Sequence, residues 1–164
     1  MLARIFPATL TNEYQGYWLA IWFFTPVLIA KTVIGFNFSG LNPFVAVAEI
    51  LKTVDGVPLD TFSDAAAAVV VDSAGAWGMA MFALCLFIWF VLIRYRAGLP
   101  LAIGVLLLEQ LGRTAGHTLR VVESLIRGAS VPGAGTIINL AMTSLLLMAL
   151  VLSVTRARSK AALE

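Results

Sequence analysis

Apolar residues come in long, nearly unbroken runs along most of this chain, with short polar joints between them. Four runs approach the ~20 residues that a helix rising 1.5 Å per residue needs to cross ~30 Å of hydrocarbon. The first covers 17–36 (YWLAIWFFTPVLIAKTVIGF) and is interrupted only by Pro26 and Lys31. The second covers 75–93 (GAWGMAMFALCLFIWFVLI). The third opens at Leu99-Pro100, where proline suits a helix's first turn, and covers 100–122; the fourth covers 137–155. The pattern predicts an all-α, polytopic membrane protein: one membrane domain over 1–164, built as a four-transmembrane-helix bundle, with neither internal repeats nor coiled-coil heptads.

The one long connection, 37–73, carries structure of its own. A short amphipathic helix is expected over about 42–54, with Asn42 as cap, Pro43 in the first position and Asp55-Gly56 as the closing turn. Phe44, Val45, Val47, Ile50 and Leu51 make it apolar enough to lie at the outer interface as a lid or crossbar. The stretch TFSDAAAAVVVDS then reads as a helical lead-in to the second span, capped by Thr61 or Ser63.

Composition agrees with this pattern. Of 164 residues, 60% are hydrophobic and 12% charged, against about a quarter charged in soluble domains. A scattered net charge of +2 points to no nucleic-acid partner. Cys85 is the single cysteine and lies in an apolar run, so no intrachain disulfide or thiolate metal site can be built. The N-terminal stretch does not read as a signal peptide, because Asn12, Glu13 and Gln15 separate its basic end from the apolar run.

Charge in the joints sets orientation, because cytoplasmic loops are enriched in lysine and arginine. Arg4, Arg94, Arg96, Arg156, Arg158 and Lys160 fall on one side of a four-span topology; Glu49, Asp55, Asp60 and Asp64 fall on the other, with Lys52 the only base among them. The expectation is a multi-pass protein of a prokaryotic inner membrane with both termini cytoplasmic. Tyr14, Tyr17, Trp18, Trp89 and Tyr95 stand where interfacial aromatic anchors belong.

Against that apolar background, EQLGRTAGHTLR (109–120) is the anomaly. At about 100° per residue, with Glu109 at zero, Arg113, His117 and Arg120 fall within about 80° of it on one helix face. Glu109–Arg113 and Arg113–His117 are four apart, a spacing at which side chains offset one another's burial. Gly112 and Gly116 form a GxxxG pattern at which another helix can come close. Asp72, Ala76, Ala80 and Ala83 make a narrow small-residue face on the second span. Lys31, Asp72 and Asn139 supply polar groups at similar depth, so the candidate cluster is Lys31, Asp72, Glu109, Gln110, Arg113, His117, Arg120 and Asn139, with its charged side turned into the bundle.

Two uses of such a cluster differ in kind. It can be a joint, pairing across helices or docking a neighbouring subunit, or an outward-opening pocket for an anionic or amphipathic ligand. A catalytic role would need His117 and Glu109 as an acid/base pair, but they are two turns apart and no nucleophile accompanies them, so the reading leans against an enzyme and assigns no catalytic residue. A lone His117 flanked by Arg113 and Arg120 suits a haem or pigment metal poorly, and no Glu-x-x-His pair supports a di-metal site; no metal ligand is assigned. Any cofactor of such a bundle would be a lipid, quinone or pigment.

The run GAWGMAMFALCLFIWFVLIRYRAGLPLAIGVLLLEQLGRTAGHTLRVVESLIRG (75–128), about a third of the chain, resembles the second and third helices of small DoxX-like bacterial four-helix membrane proteins in its glycine-rich start, basic turn, LGR and closing glycine. The resemblance implies a four-helix bundle and, as in some members, association with membrane redox systems. It brings no catalytic residues, and the long outer segment 37–73 departs from the simpler family pattern. The function expected is that of a non-catalytic accessory or partner-binding subunit of a larger membrane assembly, in contact with lipid and with other integral subunits or itself; the alternative is a binding protein or simple enzyme for an amphipathic small molecule.

Overall fold

The computed structural model describes residues 5–7, 9, 11–126 and 133–155, apart from the side chains of 117, 119–126 and 133–137. Among these residues the chain is all-helical, with α1 Leu19–Phe38, α2 Val47–Thr53, α3 Asp64–Arg94, α4 Leu99–Ile126 and α5 Gly133–Val154, and short 3-10 turns at Leu59–Thr61 and Arg96–Gly98. Two helices, α1 and α3, are long and apolar enough to cross a membrane; the apolar part of α5, Ile138–Val154, is shorter. Of the basic residues used for orientation, Arg4, Arg156, Arg158 and Lys160 lie outside the described residues.

Two compact units divide the chain, one of residues 28–90 and one of residues 1–27 with 91–164. One boundary falls just after Pro26, which removes one backbone donor from the interior of α1.

Within 28–90, the second half of α1 meets α3 through glycine. A Cβ on Gly35 would come within 2.8 Å of Phe82 N, and one on Gly78 would overlap the backbone of Phe38. Because both positions lack a side chain, aromatic rings close around the crossing: Phe36 with Phe82 at 5.6 Å, and Phe38 edge-on to Trp77 at 5.5 Å. Trp89 Nε1 donates to Thr32 Oγ1 at 3.0 Å, which satisfies the indole in an otherwise apolar surround. The small-residue face expected to pack is instead exposed: Asp72, Ala76, Ala80 and Ala83 lie outward, and α3 buries Gly78, Met81, Cys85 and Ile88. Close backbone approach at Gly78 decides which side turns inward, since a Cβ there would overlap Phe38.

The helix expected over 42–54 is shorter. Asn42 makes a local turn, accepting from Phe44 N at 2.9 Å and donating to Asn37 at 2.8 Å, so helix begins only at Val47, with Ala46 as an N-cap that makes no side-chain bond. Asparagine's competing local bonds explain the correction. Val47 and Leu51 join Leu59 in a small core with Phe38, Val70, Val71 and Ala74 against it, while Phe44 is 91% exposed. Gly40 and Gly56 hold positive φ (76° and 65°) at the turns before and after α2. The lead-in to the second span is continuous with it: α3 runs unbroken from Asp64 and is capped by Ser63, whose Oγ accepts from Ala66 N at 3.4 Å.

In the other unit, α4 begins at Leu99 with Pro100 in its first turn, as expected. Leu99, Ile103 and Leu106 of α4 and Leu146 and Ala149 of α5 are fully buried. An N-terminal strap is tied across the end of this hairpin: Ala97 N donates to Thr11 O, and Tyr17 N to Leu152 O, each at 3.1 Å. The Arg96 guanidinium lies 5.9 Å from the Trp18 ring centre, a cation–π arrangement beside the strap.

Candidate functional site

Helix α4 alone among the long helices is clearly two-faced; α1, α3 and α5 are apolar nearly all round. Its buried positions Leu99, Ile103, Leu106, Gln110 and the half-buried Thr114 recur at intervals of three or four, and this face carries polar groups at its C-terminal end. Asn139 and Thr143 hold the corresponding positions on α5.

Four side chains meet there. Gln110, fully buried, donates through Nε2 to Asn139 Oδ1 at 3.2 Å, Asn139 O at 3.3 Å and Thr114 Oγ1 at 3.4 Å. Thr114 and Thr143 each donate to the carbonyl four residues earlier, at 2.8 and 2.7 Å, and their hydroxyls lie 3.3 Å apart. These back-bonds fix both hydroxyls against their own helices, so a shift of α5 by one residue would break the set. Gln110 Oε1 is buried with no hydrogen-bond partner among the described residues. The quartet is neutral throughout, and its chemistry is that of hydrogen-bonded register.

Glu109 and Arg113 stand at the edge of this face. Their ion pair spans 3.5 Å across one turn, with side chains 21% and 29% exposed. The face turned to α5 is centred near Gln110, about 100° around the helix from Glu109, so Glu109 and Arg113 flank the joint instead of entering it. On the outward side, Leu108 and Gly112 are exposed. A Cβ on Gly112 or Gly116 would meet no described atom within 4 Å, so this GxxxG is not a crossing point within the described chain.

The remaining candidates fall as follows. Lys31 is fully buried in α1 and Asp72 is exposed on α3, both in the 28–90 unit. The side chains of His117 and Arg120, with the rest of the charged side beyond them, lie outside the described residues. Thr114 and Thr143 complete the quartet but stood outside the candidate set. The signal that finds them is their i+4 spacing from Gln110 and Asn139.

Two groups away from the apolar helices have displaced acidities. Burial pushes the Tyr14 phenol up to about 12. The hydrogen bond to Asp60, opposed by desolvation and helped by the charges of Asp60 and Glu49, raises Lys52 above its usual range; the Lys52–Asp60 pair spans 2.5 Å in the exposed connection. Among the described residues no three His, Cys, Asp or Glu side chains gather as a metal site would require. Comparison with family models, with curated proteins and with solved structures finds no match to this chain.

Proposed function

We propose that this chain is a four-span protein of a prokaryotic inner membrane, termini cytoplasmic, acting without catalysis as an accessory or partner-binding subunit of a larger membrane assembly. The observation that carries the reading is an inverted distribution of polarity. Trp22, Phe87, Phe90, Leu108, Leu140 and Val151 are each more than half exposed, while Lys31 and Gln110 are fully buried. Water would penalise so large an apolar surface, whereas acyl chains accept it and make interior polar groups the natural glue between helices.

The docking side is the outward face of α4. Arg113 lies about 21 Å along the helix from Leu99, within the outer half of a bilayer, where a partly exposed ion pair is costly against lipid. A partner helix lying over Gly112 gains close backbone approach beside this pair, in which Arg113 Nε and Nη2 are already buried. The DoxX-like resemblance of 75–128 favours a redox or energy-transducing host. The alternative reading, a pocket for an amphipathic ligand among the same residues, has less support, because Gln110, Asn139, Thr114 and Thr143 close on one another.

Native mass spectrometry after gentle detergent extraction tests the proposal. The wild-type chain should retain partner subunits, and Arg113→Leu should lose them while the isolated chain keeps its helicity. A wild-type chain that emerges alone, or an Arg113→Leu chain that retains its partners, would refute it.

A further inference from the structure

Helix α3 is longer than a membrane requires. Residues 73–93 carry no charge and at 1.5 Å per residue measure about 32 Å, which matches a hydrocarbon core of ~30 Å held between Asp72 and Arg94. Because α3 begins at Asp64, it projects about 12 Å beyond Asp72. Ala67, Val70 and Val71 of that projection pack against Val47, Leu51 and Leu59. The apolar side of α2 is thus used up against α3, and α2 itself does not lie on the membrane.

The turn between α1 and α2 stands lower. Helix α1 ends at Phe38, whose backbone a Cβ on Gly78 would overlap, and Gly78 is about 9 Å to the inner side of Asp72 along α3. Asn42 Nδ2 ties the turn back to Asn37 of α1 at 2.8 Å. Phe44, two residues on, lies within about 7 Å of that tether. The tip therefore sits at the outer edge of the hydrocarbon, and it presents apolar groups there: Phe44 is 91% exposed, Leu41 51% and Val45 38%.

Its polar groups are satisfied from within. Ser39 N donates to Gly35 O, Leu41 N to Ser39 Oγ and Phe44 N to Asn42 Oδ1, while Pro43 has no donor to place. Ser39 Oγ in turn donates to Phe36 O at 2.7 Å. No charged residue occurs between Lys31 and Glu49. A turn facing water needs neither provision, whereas irregular backbone facing lipid needs both.

We propose, on the membrane placement given above, that the turn 39–45 is an insertion tip that seats Phe44 and Leu41 among the outer-leaflet lipids and so pins the small outer core to the membrane surface. Its occupant is lipid at the boundary of headgroup and acyl chain. An aromatic ring is well suited to that depth.

Nitroxide labels on Phe44→Cys, Asp64→Cys and Phe87→Cys, each in a full-length Cys85→Ala chain in phosphatidylcholine nanodiscs, test the assignment. Collisions with oxygen, which concentrates in acyl chains, are compared with those of a water-soluble nickel chelate. The labels at 44 and 87 should meet oxygen severalfold more often than the chelate, and the label at 64 the reverse. Phe44→Trp keeps a ring in place, and its added emission should be quenched more by phosphatidylcholine brominated near the headgroup than near the chain end. Chelate reaching position 44 as freely as 64, while 87 stays in lipid, overturns the insertion tip and leaves the membrane placement standing. A label at 44 shielded from both reagents assigns the tip to a protein partner and overturns it equally. Chelate access at 87 refutes the membrane placement itself, and the insertion tip with it.

Discussion

In the unit of residues 28–90, α1 and α3 meet where side chains are missing; in the hairpin of α4 and α5 they meet where side chains are polar. Gly35 and Gly78 let backbone touch backbone, and Phe36, Phe82, Phe38 and Trp77 fill the flanks. Gln110 of α4 instead reaches Asn139 of α5 by hydrogen bonds of 3.2 and 3.3 Å, with the Thr114 and Thr143 hydroxyls set beside them. The first device depends on shape and tolerates no added atom. The second depends on directed bonds, and a substitution there removes bonds without forcing helices apart. The glycine crossing should therefore be the more fragile joint and the polar quartet the more graded one.

The largest expected effect breaks the first device. Gly78→Ala places a methyl against the Phe38 backbone, which cannot yield as a flexible side chain would, so unfolding in detergent should show a loss of about 1–3 kcal/mol or more. Gly112→Ala is the control, since its site is open: the same assay should show no loss and a gain of up to about 1 kcal/mol from helix propensity. Equal losses at the two glycines would erase the distinction.

A smaller effect is expected at the quartet. Gln110→Leu should cost about 0.6–1.7 kcal/mol, the range for interhelical polar contacts in membranes. Adding Asn139→Leu should cost less than the sum of the single changes, because one broken contact is counted twice. Additive losses in the double-mutant cycle would mean that the two side chains are not coupled.

The smallest effect lies in the outer connection. The raised Lys52 affinity for its proton means less neutral amine at a given pH, so an impermeant amine reagent applied from the outer side should acylate Lys52 slowly. Asp60→Asn should speed that reaction. The ion pair's contribution to stability is complete below the unfolded pKa of lysine and fades as pH rises through the higher folded value. Acylation of Lys52 only after the membrane is opened would reverse the proposed orientation.

Part of the candidate site was open to reading in the sequence. Gln110 and Asn139 stand out because polar side chains inside apolar runs need partners, and the structure brings the two together. Glu109 and Arg113 pair as their spacing of four requires. Other features had no local signature: nothing in the neighbouring residues separates Gly35 and Gly78, which sit at a crossing, from Gly112 and Gly116, which do not. The capping power of Asn42 was legible, but not its diversion into a turn with Asn37, which delays α2 to Val47.

Helicity, the long apolar runs of α1 and α3, and the angular order of side chains around each helix were determined by the sequence alone, because a period of 3.6 residues fixes every position relative to its neighbours on the same helix. The rotation of each helix about its axis was decided only in the tertiary structure. An all-apolar circumference buries equally well in several orientations, so the choice falls to close packing and to the few polar groups that must find each other. That is why α4 turns Gln110 towards α5 and leaves Glu109 and Arg113 at the margin, and why the outward side of α3 is lined by Ala76, Ala80 and Ala83.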